Sequence, residues 1–98
     1  MKSEKFECDD RYEAEKLSSL LSIQKDGAVW FTGVAAVVNT DIIIRLKDKS
    51  CHAVALKDEE NVKKLVSLLE AIANGNIHIH SSNFSGSLAE IVVLEGGE

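Results

Sequence analysis

Two stretches of the chain place apolar residues at helical spacing. After Asp10, the run RYEAEKLSSLLSIQ sets Ala14, Leu17, Leu20 and Leu21 on one stripe, with Glu13 three residues beyond Asp10 in an approximate capping box. This predicts a helix over 11–24. The second signal is stronger. Asp58 is a good N-cap, Glu59 and Glu60 follow at the positive end of the helix dipole, and Val62, Leu65, Val66, Leu69 and Ile72 recur at helical intervals. Asn74-Gly75 marks its end, glycine being suited to the left-handed residue that follows a last turn.

Elsewhere β-branched residues gather between turn residues, which predicts strands over 3–8, 28–38, 42–47, 51–57, 77–80 and 88–95. Asn39-Thr40-Asp41 and Asp48-Lys49-Ser50 read as hairpin connections, so the three middle strands form an antiparallel meander. Gly33 marks a bulge or a turn within the first of them. The chain is expected to contain no internal repeats. The order strand, helix, three strands, helix, two strands predicts a single α+β domain over 1–98. Its expected form is an antiparallel or mixed five- to six-stranded sheet with two helices packed on one face.

Strand parity then assigns faces. Ile42, Ile44 and Leu46 alternate with Ile43, Arg45 and Lys47, and Val54 and Leu56 alternate with Ala53 and Ala55. Along 34–38 and 91–94, however, both parities are apolar, more than a sheet covered on one side requires. Two helices do not cover both faces of such a sheet, so the outer face is expected to meet another copy of the chain, as a homodimer or a higher homo-oligomer, or a different protein partner. Trp30 and Phe31 fall on opposite faces, which puts one large aromatic on that outer side, where such residues anchor interfaces. The expected interface residues are Trp30, Val37, Val93 and Phe84, the last an isolated apolar residue in a polar loop. Val37→Glu or Val93→Glu is expected to break the assembly or the fold.

Length and charge narrow the class. The chain has 98 residues, of which 45% are hydrophobic, enough for one modest core. Sixteen acidic against 11 basic residues give a net charge of −5, the wrong sign for neutralising phosphates, and the lysines are interleaved with carboxylates. Nucleic acid is therefore not the expected partner. The opening MKSEKFECDD lacks the apolar segment of a secretory signal, and the apolar run 28–38 is too short to span a bilayer. A soluble, cytoplasmic protein is expected, with Cys8 and Cys51 as reduced thiols. An acidic surface could also serve an inhibitor of a larger protein partner, an alternative that the interleaved lysines weaken.

Candidate chemistry centres on NGNIHIHSSNFSGS, residues 74–87. In a strand, Ile77 and Ile79 take the core face and His78 and His80 the other, where two imidazoles can share one metal ion. Parity brings Cys51 to the same side, and a Cys-His-His set suits zinc; a zinc-dependent enzyme or sensor is thus the alternative to an expected absence of cofactor. Cys51 and His52 face opposite sides and cannot pair as nucleophile and base. The loop SSNFSGS resembles a phosphate cradle only in composition, having no helix N-terminus after it and no lysine or arginine between His78 and the C-terminus. Asp9-Asp10 and Asp58-Glu59-Glu60 sit at helix starts, where the dipole accounts for them. No catalytic constellation assembles, and the leading expectation is a small non-catalytic interaction or regulatory module.

Overall fold

The computed structural model describes residues 2–22 and 31–95. Its elements are β1 (Lys2–Glu7), α1 (Arg11–Ser22), β2 (Phe31–Val38), β3 (Asp41–Leu46), β4 (Cys51–Ala55), α2 (Glu59–Ala73), β5 (Ile77–Ser85) and β6 (Leu88–Glu95). The class is α+β, as the pattern predicted. The strands form two antiparallel sheets of three, β1-β6-β5 and β2-β3-β4, in place of the single five- to six-stranded sheet expected.

The sheets touch at one corner through an isolated antiparallel bridge between Cys8 and Leu56. There the Asp9 N–H donates to the Ala55 carbonyl at 2.9 Å and the Lys57 N–H to the Glu7 carbonyl at 3.0 Å. Pairing stops at this bridge because both chains turn at once into helices. Asp10 accepts from the Glu13 N–H and Asp58 from the Asn61 N–H, each at 3.0 Å, and a chain committed to a helix cap has left the ladder. Each helix buries most of its predicted stripe, with Leu20 and Val66 only partly buried: Ala14, Leu17 and Leu21 from α1, and Val62, Leu65, Leu69 and Ile72 from α2. These join Phe6, Ile42, Ile44, Val54, Ile79, Ala89, Ile91 and Val93 in one cluster, so both sheets and both helices share a core.

The chain is built from two copies of one βαββ unit. The first is β1-α1-β2-β3 and the second β4-α2-β5-β6, and each unit lends its first strand to the other's hairpin: β1 pairs with β6, and β4 with β3. Residues 48 apart make reciprocal contacts. The Glu13 carboxylate accepts from the Ala55 N–H at 2.8 Å while Asn61 Oδ1 accepts from the Glu7 N–H at 2.9 Å. Lys16 Nζ donates to the Ala53 carbonyl at 2.9 Å while Lys64 Nζ donates to the Lys5 carbonyl at 3.0 Å. The sequence carries the same relation, contrary to the expectation of no internal repeats. In D10RYEAEKLSSLLSIQKDG27 and D58EENVKKLVSLLEAIANG75, the aspartate, KL-x-SLL and the glycine recur at that spacing. Its signal is strongest in the helices, because the strands tolerate any apolar residue of the right parity and drift further.

Two smaller differences from expectation are local. The polar run SSNFS belongs to β5 rather than to a loop, since Ser81 to Ser85 pair in register with Val92 to Leu88. Weak strand propensity in serine and asparagine yields to that pairing and to the tight Gly86-Ser87 turn, where Gly86 takes φ +58°. The described part of the first helix ends at Ser22, and positions 28–30 of the predicted first middle strand, Trp30 among them, lie outside the described residues. β2 also carries two register shifts, at Thr32 and at Ala35, where the sequence pointed to Gly33 alone.

Candidate interaction surface

Of the large apolar and aromatic side chains exposed among the described residues, two adjacent ones, Val37 and Val38, lie on β2, with Tyr12 on α1, Phe84 on β5 and Leu94 on β6. β2, an edge strand of its sheet, has no charged residue from Phe31 to Val38. Thr32, Ala35, Ala36, Val37 and Val38 are exposed, with Val37 at 45% and Val38 at 55%. Adjacent positions of opposite parity are thus both open, so the end of the strand is uncovered on its two faces. On the helix side, Val37 joins Val62 and Val66 of α2 in lining a cleft of about 510 Å³ whose margin carries Glu59 and Lys63. Among the described residues neither of these takes part in an ion pair; Lys16 with Glu13 is the pair observed.

The two-unit construction explains why the cleft lies here. At the matching place in the other unit, Ser82 Oγ donates to the Ser18 carbonyl at 2.7 Å and draws β5 onto α1. Ser82 pairs with Ile91 as Val34 pairs with Ile44, and Ser18 corresponds to Val66. Val34 has no hydroxyl to donate. β2 also contains one residue that β5 lacks: Ala35 is extra between Val34 and Ala36, whereas the Thr32 irregularity has its counterpart at His80. A bulge bends and twists its strand, and this one adjoins the open cleft.

The expected interface residues separate in the structure. Val37 is exposed. Phe84, its counterpart in β5, is 37% exposed and pairs with Ala89 of β6. Val93 is 2% exposed and belongs to the core, a correction with a simple cause. In β6 the parity of Ala89, Ile91 and Val93 faces the helices, so the outer parity is Leu88, Glu90, Val92 and Leu94. Of these, Leu94 is 37% exposed and Val92 half-buried, so the sheet does present apolar residues on its outer side, though not the one named.

The candidate metal ligands are not brought together. His78 and His80 are exposed on β5, whereas Cys51 is exposed on β4, in the other sheet. His80 is moreover the extra residue between Ile79 and Ser81, so the plain alternation that aligns His78 with it is interrupted there. Among the described residues no group of three histidine, cysteine or acidic side chains is placed to hold a metal ion.

His52 takes part in a short polar chain. Ser50 Oγ donates to Asp48 Oδ1 at 2.5 Å and lies 3.0 Å from His52 Nε2. The hydroxyl's proton is committed to Asp48, so the imidazole is not its base. The chain staples the β3–β4 turn, in which Lys49 takes φ +73°, and the Ser50 hydroxyl holds the Asp48 carboxyl below its usual range. Cys8 is buried beside Glu13, Glu7 and Asp10; burial first, and those carboxylates second, push its thiol up to about 12. It is a neutral core residue over any physiological range.

The chain matches no known family model, no curated protein and no solved structure. No helix among the described residues is long and apolar enough to cross a membrane.

Proposed function

We propose that the chain is a non-catalytic interaction module that associates with copies of itself through apolar sheet surface. The observation that carries this reading is β2, a charge-free apolar edge strand exposed at consecutive positions of both parities. Monomeric proteins ordinarily blunt such an edge with a lysine, a proline or a covering element. The matching terminal strand of the other sheet, β5, carries His78, His80, Ser81, Ser82 and Asn83 and is tied to α1 through Ser82. A net charge of −5 sets two copies against each other everywhere except where charge is missing, and β2 is such a place.

Sedimentation velocity over a wide concentration range tests the reading. A concentration-dependent dimer or larger species is expected. A single monomeric species throughout overturns it.

A further inference from the structure

We infer that the occupant of the β2 edge is β2 of a second copy, running antiparallel to it about a two-fold axis at Val37 and joining two β2-β3-β4 sheets into one of six strands. This rests on the self-association proposed above and specifies its geometry.

The pairing pattern singles out Val37. Val38 and Asp41 flank a two-residue turn, so they form the hydrogen-bonded pair that closes the hairpin, and the next pair, Val37 with Ile42, is non-hydrogen-bonded. Residues in such pairs turn their N–H and C=O away from the partner strand. Val37 therefore presents both backbone groups to the open side of β2. A second Val37 approaching about a two-fold axis accepts from one and donates to the other, as a hydrogen-bonded antiparallel pair requires. The Ala35 bulge ends the regular stretch on one side and the turn ends it on the other, leaving Ala36–Val38 with Val37 at its centre.

Charge fits a second copy. An isologous contact presents the same patch twice, so it must be complementary to itself. Here the strand is neutral, and the residues lining the adjoining cleft include one acid and one base, Glu59 and Lys63, neither in an ion pair among the described residues. Each copy thus brings both signs to the seam rather than one. A uniformly acidic or basic margin would oppose the same approach.

The test separates this geometry from self-association at large. Val37→Pro removes the outward N–H at a position that donates nothing to β3, so the intramolecular ladder survives while strand addition does not. Val37→Lys keeps the backbone and places a charge at the centre of the contact, and it decides the matter should the proline variant fail to melt cooperatively. Leu94→Glu alters the outer sheet face and leaves β2 untouched. The three variants and the wild type are compared by sedimentation velocity, with circular dichroism and thermal melting to confirm the fold. The expected result is loss of the dimer in Val37→Pro and Val37→Lys and its retention in Leu94→Glu. A dimer that persists in both Val37 variants overturns the edge geometry while leaving self-association standing, whether or not Leu94→Glu abolishes it. Loss of the dimer in all three also overturns it, because the contact then includes the outer face. A wild type that is monomeric at every concentration overturns both proposals together.

Discussion

Glu13 and Asn61 hold the same position in two helices and close the same gap in opposite directions. Each lies three residues after its capping aspartate, and each accepts a backbone N–H from the strand that the other unit contributes, Ala55 for Glu13 and Glu7 for Asn61. The corner where the sheets meet at Cys8 and Leu56 is thereby locked from both sides. Removing either acceptor leaves a partly buried N–H unsatisfied, which costs about 1–3 kcal/mol. Glu13→Ala and Asn61→Ala are each expected to lower the unfolding free energy by that amount in urea titrations. A value near zero for both would mean that water replaces these acceptors and that the corner is held by packing alone.

The two cysteines are expected to differ sharply toward a thiol reagent. In the folded protein one thiol, Cys51, reacts readily, since it is exposed, whereas Cys8 is buried with its thiol held neutral to about pH 12. The second equivalent should appear only on unfolding. Mass spectrometry after brief alkylation at neutral pH, with and without denaturant, reads this directly.

Cys8 also predicts an alkaline limit. Its folded value lies above the ordinary 9.0, so the unfolded chain sheds this proton first as pH rises. The contribution to stability is intact below about pH 9 and is lost progressively from there toward pH 12. Melting temperatures measured across that window should fall more steeply for the wild type than for Cys8→Ala, whatever the offset between the two at neutral pH.

The acid side runs the other way. Hydrogen bonds from Ser50 hold Asp48 below its ordinary 3.8, and the Asn61 N–H at the α2 cap does the same for Asp58. Their contribution is present above that value and fades as pH falls through the depressed folded values. Asp58→Asn keeps a capping acceptor and removes the titration, so the variant's acid unfolding profile should be shallower than the wild type's. Identical profiles would place the acid sensitivity elsewhere.

Val93 and Val37 are expected to respond oppositely to a glutamate. Val93 is enclosed by the core, and an unpaired buried carboxylate there should abolish cooperative unfolding. At Val37, nearly half exposed, the same change should leave the melting temperature almost unaltered and weaken only association. Circular dichroism melts of the two variants distinguish a fold residue from a surface residue in one experiment.

Much of this was legible in the chain, and the part that was not has physical causes. Helical periodicity and capping aspartates placed α1 and α2, because both are decided within a few residues. Alternation placed β3 and β4 and identified Ile42, Ile44, Val54 and Leu56 as core, whereas β6, apolar at both parities over 91–94, gave no such reading and Val93 fell to the wrong face. The KL-x-SLL repeat is also written in the sequence, but it recurs only once and against drifted strands, so no repeat was expected and the structure revealed the paired units. Which strand lies beside which was not legible: β1 and β6 pair across more than 80 residues, and no local pattern encodes that choice. Nor could parity be extended through β2 and β5, because a bulge shifts every later residue by one and leaves no compositional trace at Ala35 or His80. The three candidate metal ligands are therefore not brought together, with His78 and His80 on a bulged strand and Cys51 in a different sheet. The sequence by itself determined the class, the helices, most of the core and the charge-free strand, all set by short-range spacing and burial. Only the tertiary structure decided that two units exchange strands and that α1 closes onto β5 while α2 stands off from β2. That asymmetry coincides with one hydroxyl and one extra residue, Ser82 and Ala35, whose partners come from distant segments.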